Sequence, residues 1–156
     1  MKQKNTIIVA SLVLIIIVAA LASIFLYNKE HRVNENKEEA KELVKETVSI
    51  DTFKQKLKEE LEVESETENK ECGLIGASEG VSYMIDGKMI QIYKFDLEKS
   101  DELTVTNLKK AQEEEKVVMP SFNNYEFKVK YNKGLVLVNS EEHPQEEKIV
   151  EIFQSL

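Results

Sequence analysis

Residues 7–27 constrain this chain more than any other stretch. They read IIVASLVLIIIVAALASIFLY, 21 residues without a charge, a proline or a glycine. A helix rising ~1.5 Å per residue carries such a run across about 31 Å, close to the hydrocarbon thickness of a bilayer. Fourteen of the 21 are Leu, Ile, Val or Phe. At roughly −0.3 to −0.6 kcal/mol each on an insertion scale, they favour lipid by about 4–8 kcal/mol. A chain of 156 residues has too small a core to surround a helix that is apolar on all sides. The stretch is therefore expected to be a transmembrane anchor whose partner is the lipid bilayer.

A cleaved export signal is the competing reading. Lys2 and Lys4 supply a basic start, and Ala20-Leu21-Ala22 fits a small-x-small cleavage site, which would release a secreted product cut near Ala22. Against cleavage, the apolar run continues through Ile24, Phe25 and Leu26 to Tyr27, an aromatic at interface depth. Orientation draws on two opposed signals. Lys29, Arg32, Lys37, Lys41 and Lys45 lie after the run, and a plain Lys/Arg count would keep that side in the cytoplasm. A six-residue basic tail (residues 1–6) ahead of a long apolar run instead has the form of an export signal, which delivers the C-terminal part of a chain across the membrane. The expected topology is a single-pass signal anchor in the plasma membrane with the remainder outside.

Charge narrows the rest. The formal net charge is −8, and residues 28–156 alone carry −10. A module this acidic repels nucleic acid and anionic headgroups at long range, and no nucleic-acid partner is expected. Cys72 is the single cysteine, which excludes an intrachain disulfide and a Cys-rich zinc site; its plainest role is a small buried apolar residue.

Residues 28–49 read as a charged stalk or linker. Polar and aperiodic to about residue 36, the segment then places Ala40, Leu43, Val44 and Val48 at helical spacing. Ser49 or Asp51 is placed to cap a second helix, in which Phe53, Leu57 and Leu61 form one apolar line. Residues 64–71 are almost wholly polar and suit a loop or an exposed strand edge. Two β-prone runs then flank Asp86-Gly87, the signature of a two-residue type I′ hairpin. That register pairs Tyr83 with Ile90 and Val81 with Ile92 on a core face, leaving Ser82, Gln91, Met84 and Met89 on the other.

Ser100 is the expected N-cap of a helix running to about Glu114, whose sparse apolar residues suit it to cover a sheet edge. Tyr125, Phe127, Val129 and Tyr131 alternate with polar residues as a half-buried strand. Asn132-Lys133-Gly134 suits a three-residue loop, and the apolar run 135–138 an interior strand. Pro144 opens a last helix that packs through Ile149, Ile152, Phe153 and Leu156. Residues 50–156 thus read as one extracytoplasmic α+β domain, an antiparallel sheet of about four or five strands with helices packed on one side.

The order of an anchor, a charged stalk, a helix, EGVSYMIDGKMIQIYKFD (79–96), NKGLVLVN (132–139) and a terminal amphipathic helix resembles small membrane-tethered or lipoprotein-like extracytoplasmic domains of low-GC Gram-positive bacteria. Most such domains have no assigned activity. The resemblance implies location and architecture, and no mechanism; this chain lacks the lipid-accepting cysteine that many of them carry.

Chemical motifs are few. Gly76-Ala77-Ser78-Glu79-Gly80 matches G-x-S-x-G, with His143 downstream. A nucleophile elbow, however, needs a strand before it and a helix after it, whereas here a hairpin comes at once. His31 and His143 are the two histidines, both expected to face solvent, and neither their spacing nor any D-x-D-x-D-G loop builds a metal site. No catalytic residue, metal site or cofactor is expected. Met84, Met89, Pro120 and Phe122 lie outside the main apolar pattern and, if exposed together, form a contact patch for an envelope protein or extracellular ligand. The expected function is a non-catalytic, membrane-anchored binding or accessory domain, with a structural single-pass subunit of a membrane assembly as the alternative.

Overall fold

The computed structural model describes residues 2–156, with side chains described from residue 17 onward. The chain divides into two compact units, Met1–Glu35 and Asn36–Leu156. Helix α1 is assigned over Lys2–Leu43.

In the first unit, residues 17–35 are all exposed. Ile17, Val18, Leu21, Ile24, Phe25, Leu26 and Tyr27 are 50–68% accessible, and at ~100° per residue they are distributed around the whole helix. Residues 7–16 of the expected anchor lie outside those whose side chains are described. Among the described residues, no helix is long and apolar enough to cross a membrane.

The second unit is α+β. Its elements are the end of α1, α2 (Ile50–Glu60), β1 (Ser65–Glu68), β2 (Glu79–Ile85), β3 (Lys88–Lys94), α3 (Glu102–Glu113), β4 (Lys116–Met119), β5 (Tyr125–Asn132), β6 (Leu135–Val138) and α4 (Glu146–Gln154). Short 3₁₀ turns occupy Cys72–Ile75 and Pro120–Phe122. The sheet has six antiparallel strands in the order β1-β2-β3-β6-β5-β4, more than the four or five expected. β1, whose four residues are all polar and exposed, lies in the stretch read as a loop or an exposed strand edge, and no hydrophobic alternation announces it.

The hairpin register matches expectation. Tyr83 pairs with Ile90 and Val81 with Ile92, around a turn in which Asp86 (φ 48°) and Gly87 (φ 68°) are both left-handed. The β5–β6 turn is one residue tighter than expected. Asn132 pairs with Leu135, and Lys133 (φ 45°) joins Gly134 (φ 80°) as the two loop residues.

Helices cover both faces of the sheet, which corrects the one-sided packing expected. On one face α2 and α4 bury Phe53, Leu57, Ile149 and Phe153 against Tyr83, Ile90, Ile92, Leu135 and Leu137. On the other face, α3, the end of α1 and the residue just after it bury Leu108, Val105, Ala40 and Val44 against Tyr93, Val129, Val136 and Val138. β6 is the reason: all four of its residues are buried, and alternate side chains point to opposite faces. Ala40 and Val44, read as stalk, are core residues of the compact unit Asn36–Leu156.

Caps explain where the helices start. Ser49 Oγ receives the Thr52 N–H at 3.2 Å and opens α2. At α3 the cap is Asp101, whose carboxylate receives the Thr104 N–H at 2.8 Å; Ser100 is buried and donates instead to the Asp96 carbonyl at 3.1 Å. Pro144 lies two residues ahead of α4 rather than in its first turn. There His143 Nδ1 receives the Gln145 N–H at 3.0 Å, and Nε2 donates to the Ile85 carbonyl at 2.9 Å. His143 is therefore buried, not solvent-facing, and ties the β2–β3 hairpin to the last helix. His31 is exposed, as expected.

Candidate ligand-binding cavity

The face of the sheet covered by α3 is covered only in part. α3 lies over the β4–β5 side, and the β1–β2–β3 side presents Ser65, Thr67, Ser82, Met84, Met89 and Gln91, none of them buried. Polar residues alternating with the buried Tyr83, Ile90 and Ile92 give this part of the sheet one wet face.

A cavity of about 550 Å³ opens where the covered and uncovered parts meet. Leu74 and Ile75 from the first 3₁₀ turn, Tyr93 and Gln91 from β3, and Met119, Phe122 and Tyr125 from the second turn and its flanks line it, with Asn69 and Glu71 at one side. Its volume and largely apolar lining fall in the range of ligand sites. Phe122 and Tyr125 are each 62% exposed, so the apolar surface continues outward from the cavity.

Three local devices hold the walls. Gly80 faces Tyr93 across β2–β3, and a Cβ there would come within 2.8 Å of the Tyr93 ring; glycine lets the ring lie flat on the strand. The Tyr93 hydroxyl receives a hydrogen bond from Asn69 Nδ2 at 2.7 Å. Burial raises its pKa above the usual tyrosine value, with the nearby Cys72 and Glu71 adding to the shift. The first 3₁₀ turn is fastened to α3: Thr104 Oγ1 donates to the Gly76 carbonyl at 2.8 Å and Asn107 Nδ2 to the Ile75 carbonyl at 2.9 Å.

Of the four residues singled out from sequence, Phe122 lines this cavity. Met89, 43% exposed, lines a neighbouring depression that shares Tyr125 with the first. Met84 is Met89's cross-strand partner and is half-buried, and Pro120 is exposed beside Phe122. Neither of these two lines the cavity.

Tyr125, Tyr93, Met119 and Gln91 were not expected in the site. Tyr125 belongs to the alternating apolar set of β5, which places it on the core face, yet its ring stays exposed. Cys72 is partly buried against the core.

Ser78 and His143 are not brought together. Ser78 precedes β2 and donates to the Lys94 carbonyl at 3.1 Å, whereas His143 is bonded to Ile85 at the other end of that strand. A strand, not a helix, comes after Ser78, so the segment lacks the form of a nucleophile elbow. Among the described residues, no three His, Cys, Asp or Glu side chains are grouped to hold a metal. Compared with protein-family models, with curated proteins and with solved structures, the chain matches none of them.

Proposed function

We propose that this protein is a membrane-anchored, extracytoplasmic binding or accessory domain that presents the Tyr93–Phe122–Tyr125 cavity to a partner, without catalysis of its own. The observation that carries the reading is the pairing of two exposed apolar features on one chain. One is the helix segment 17–27, whose large side chains are uncovered on every side. The other is the half-open sheet face with its apolar cavity. The first favours lipid by roughly 1.5–3 kcal/mol for each large side chain transferred from water. The second is the kind of concave, mostly apolar surface that recognises a ligand. An anchor over 7–27, and delivery of the remainder across the plasma membrane, complete the proposal.

Two measurements test it. Full-length protein should stay with the membrane pellet through alkaline carbonate and should be extracted by detergent. A Cys72→Ser, Ser121→Cys variant places one thiol at an exposed position; a membrane-impermeant maleimide added to intact cells should label it. Release by carbonate would remove the anchor from the proposal. Labelling only after lysis would reverse the topology.

A further inference from the structure

We infer that the cavity takes the side chain of an arginine from a partner polypeptide, a deepening of the binding role proposed above that rests on it. Charge favours a cation. Glu71 is the one charged residue among those lining the cavity, no Lys or Arg lines it, and residues 28–156 carry −10 overall. A cation is therefore drawn to this opening at long range and meets no like charge inside it. Hydrogen-bonding capacity favours a donor. Gln91 directs Nε2 to Ser82 Oγ at 3.3 Å, which leaves Oε1 as the free end of the amide. Among the described residues, the Glu71 carboxylate makes no ion pair; its backbone N–H donates to Asn69 Oδ1 at 3.0 Å and its carbonyl accepts from the Leu74 N–H at 3.0 Å, which leaves the carboxylate oxygens without a hydrogen bond. The cavity thus offers acceptors, and the complementary group is a pure donor.

The walls add a third condition. Tyr93, Phe122 and Tyr125 bring three aromatic rings to one opening, with Leu74 and Met119 beside them. Aromatic faces attract cations, and apolar walls cover the methylene stem that carries one. A guanidinium meets all three conditions better than an ammonium: it is planar, stacks on rings, is weakly hydrated and presents donors in a fork. Exposure of Phe122 and Tyr125 beyond the rim supplies surface for the residues that flank the arginine in a partner chain.

The test uses the full chain in detergent micelles, with carbon-13 in the methionine methyl groups. Met119 lines the cavity and serves as an internal reporter, while Met84 lies outside that lining. The probes are blocked pentapeptides Ser-Leu-X-Leu-Ser with X as arginine, citrulline, lysine or leucine. The arginine peptide should shift the Met119 methyl signal saturably and bind about tenfold more tightly than the citrulline peptide, which has the same shape without the charge. Glu71→Gln, at an exposed position, should erase that difference. Phe122→Ala, also exposed, should weaken the arginine peptide while the Met84 signal stays in place.

Equal binding of the arginine and citrulline peptides would overturn the inference but leave the cavity as a binding site. Equal binding of lysine and arginine would overturn the guanidinium assignment. A Met119 signal that no peptide moves would remove the inferred site outright, whereas membrane fractionation would still report on the anchor independently.

Discussion

Asn107 on α3 and Val118 on the edge strand β4 are joined by a two-point clasp. Asn107 Oδ1 receives the Val118 N–H at 2.7 Å, and Asn107 Nδ2 donates to the Val118 carbonyl at 2.9 Å. The same Nδ2 reaches the Ile75 carbonyl, so one fully buried amide satisfies three backbone groups. It stands where another strand would pair and closes that edge of the sheet against association.

Replacing Asn107 with Ala should therefore destabilise the domain by about 2–4 kcal/mol, because buried polar groups lose partners that water cannot replace. Urea unfolding should show a lower midpoint at unchanged slope. Amide exchange at Val118 should accelerate more than at the central strand β6. A change under about 0.5 kcal/mol would show that the clasp is not a structural joint.

Tyr83 is the converse case. It lies fully buried between sheet and α2, with Phe53 edge-on at 6.1 Å, and among the described residues its hydroxyl is the one buried side-chain polar atom without a partner. Burial pushes its pKa far above the ordinary tyrosine value, with Glu66 and Asp51 reinforcing the shift. Tyr83→Phe removes the orphan hydroxyl and keeps the ring, so stability should stay level or rise by up to about 1 kcal/mol. Thermal unfolding of the two proteins side by side measures it, and a loss above about 1 kcal/mol would reveal a hidden partner.

Glu66 on β1 is held by Lys54 at 2.6 Å and Lys58 at 2.9 Å, both on α2. The hydrogen bond from Lys54 lowers its pKa below the usual carboxylate value, and burial opposes the shift. A lowered folded-state pKa means that stability from this group is complete above the unfolded pKa and is lost as pH falls through the folded one. Glu66→Gln should thus be less stable than the parent near neutrality, with the gap closing between about pH 5 and pH 3. Denaturation midpoints across that range decide the matter; a gap that does not change with pH would deny the pairing.

Gly80 and Gly87 make a paired test of the cavity wall. A Cβ at Gly80 would press on the Tyr93 ring, whereas at Gly87 there is nothing within 4 Å. Gly80→Ala should cost about 1–3 kcal/mol through overpacking and should displace Tyr93 from Asn69. Gly87→Ala should cost about 1 kcal/mol through its left-handed backbone alone and leave the cavity intact. Tyrosine ring signals by NMR separate the two; equal disturbance at Tyr93 would mean that Gly80 has no role in seating it.

The sheet was legible wherever local chemistry sufficed. Asp86-Gly87 specifies a turn from two backbone positions, and the turn sets every pair in the β2–β3 register. Ser49 was legible as a cap for the same reason, since its partner is three residues away. The strand run 135–138, apolar on both sides, already contained the need for two covering layers; the expectation of one-sided packing passed over it. His143, Asn107 and Tyr93 were illegible because their partners lie 58, 11 and 24 residues away. Nothing in a window of neighbouring residues distinguishes a buried polar side chain from a solvated one.

By itself the sequence determined what short-range forces govern: the turns that need left-handed backbone, the helices that need a cap and an apolar line, and an uncharged apolar run that disfavours water. Only the tertiary structure decided which side chains meet. Helices α2 and α4 took one face of the sheet, while α3 and the end of α1 took part of the other, and the cavity opens where that cover ends. Burial is a property of what packs against a residue, and that choice is made by the whole chain at once.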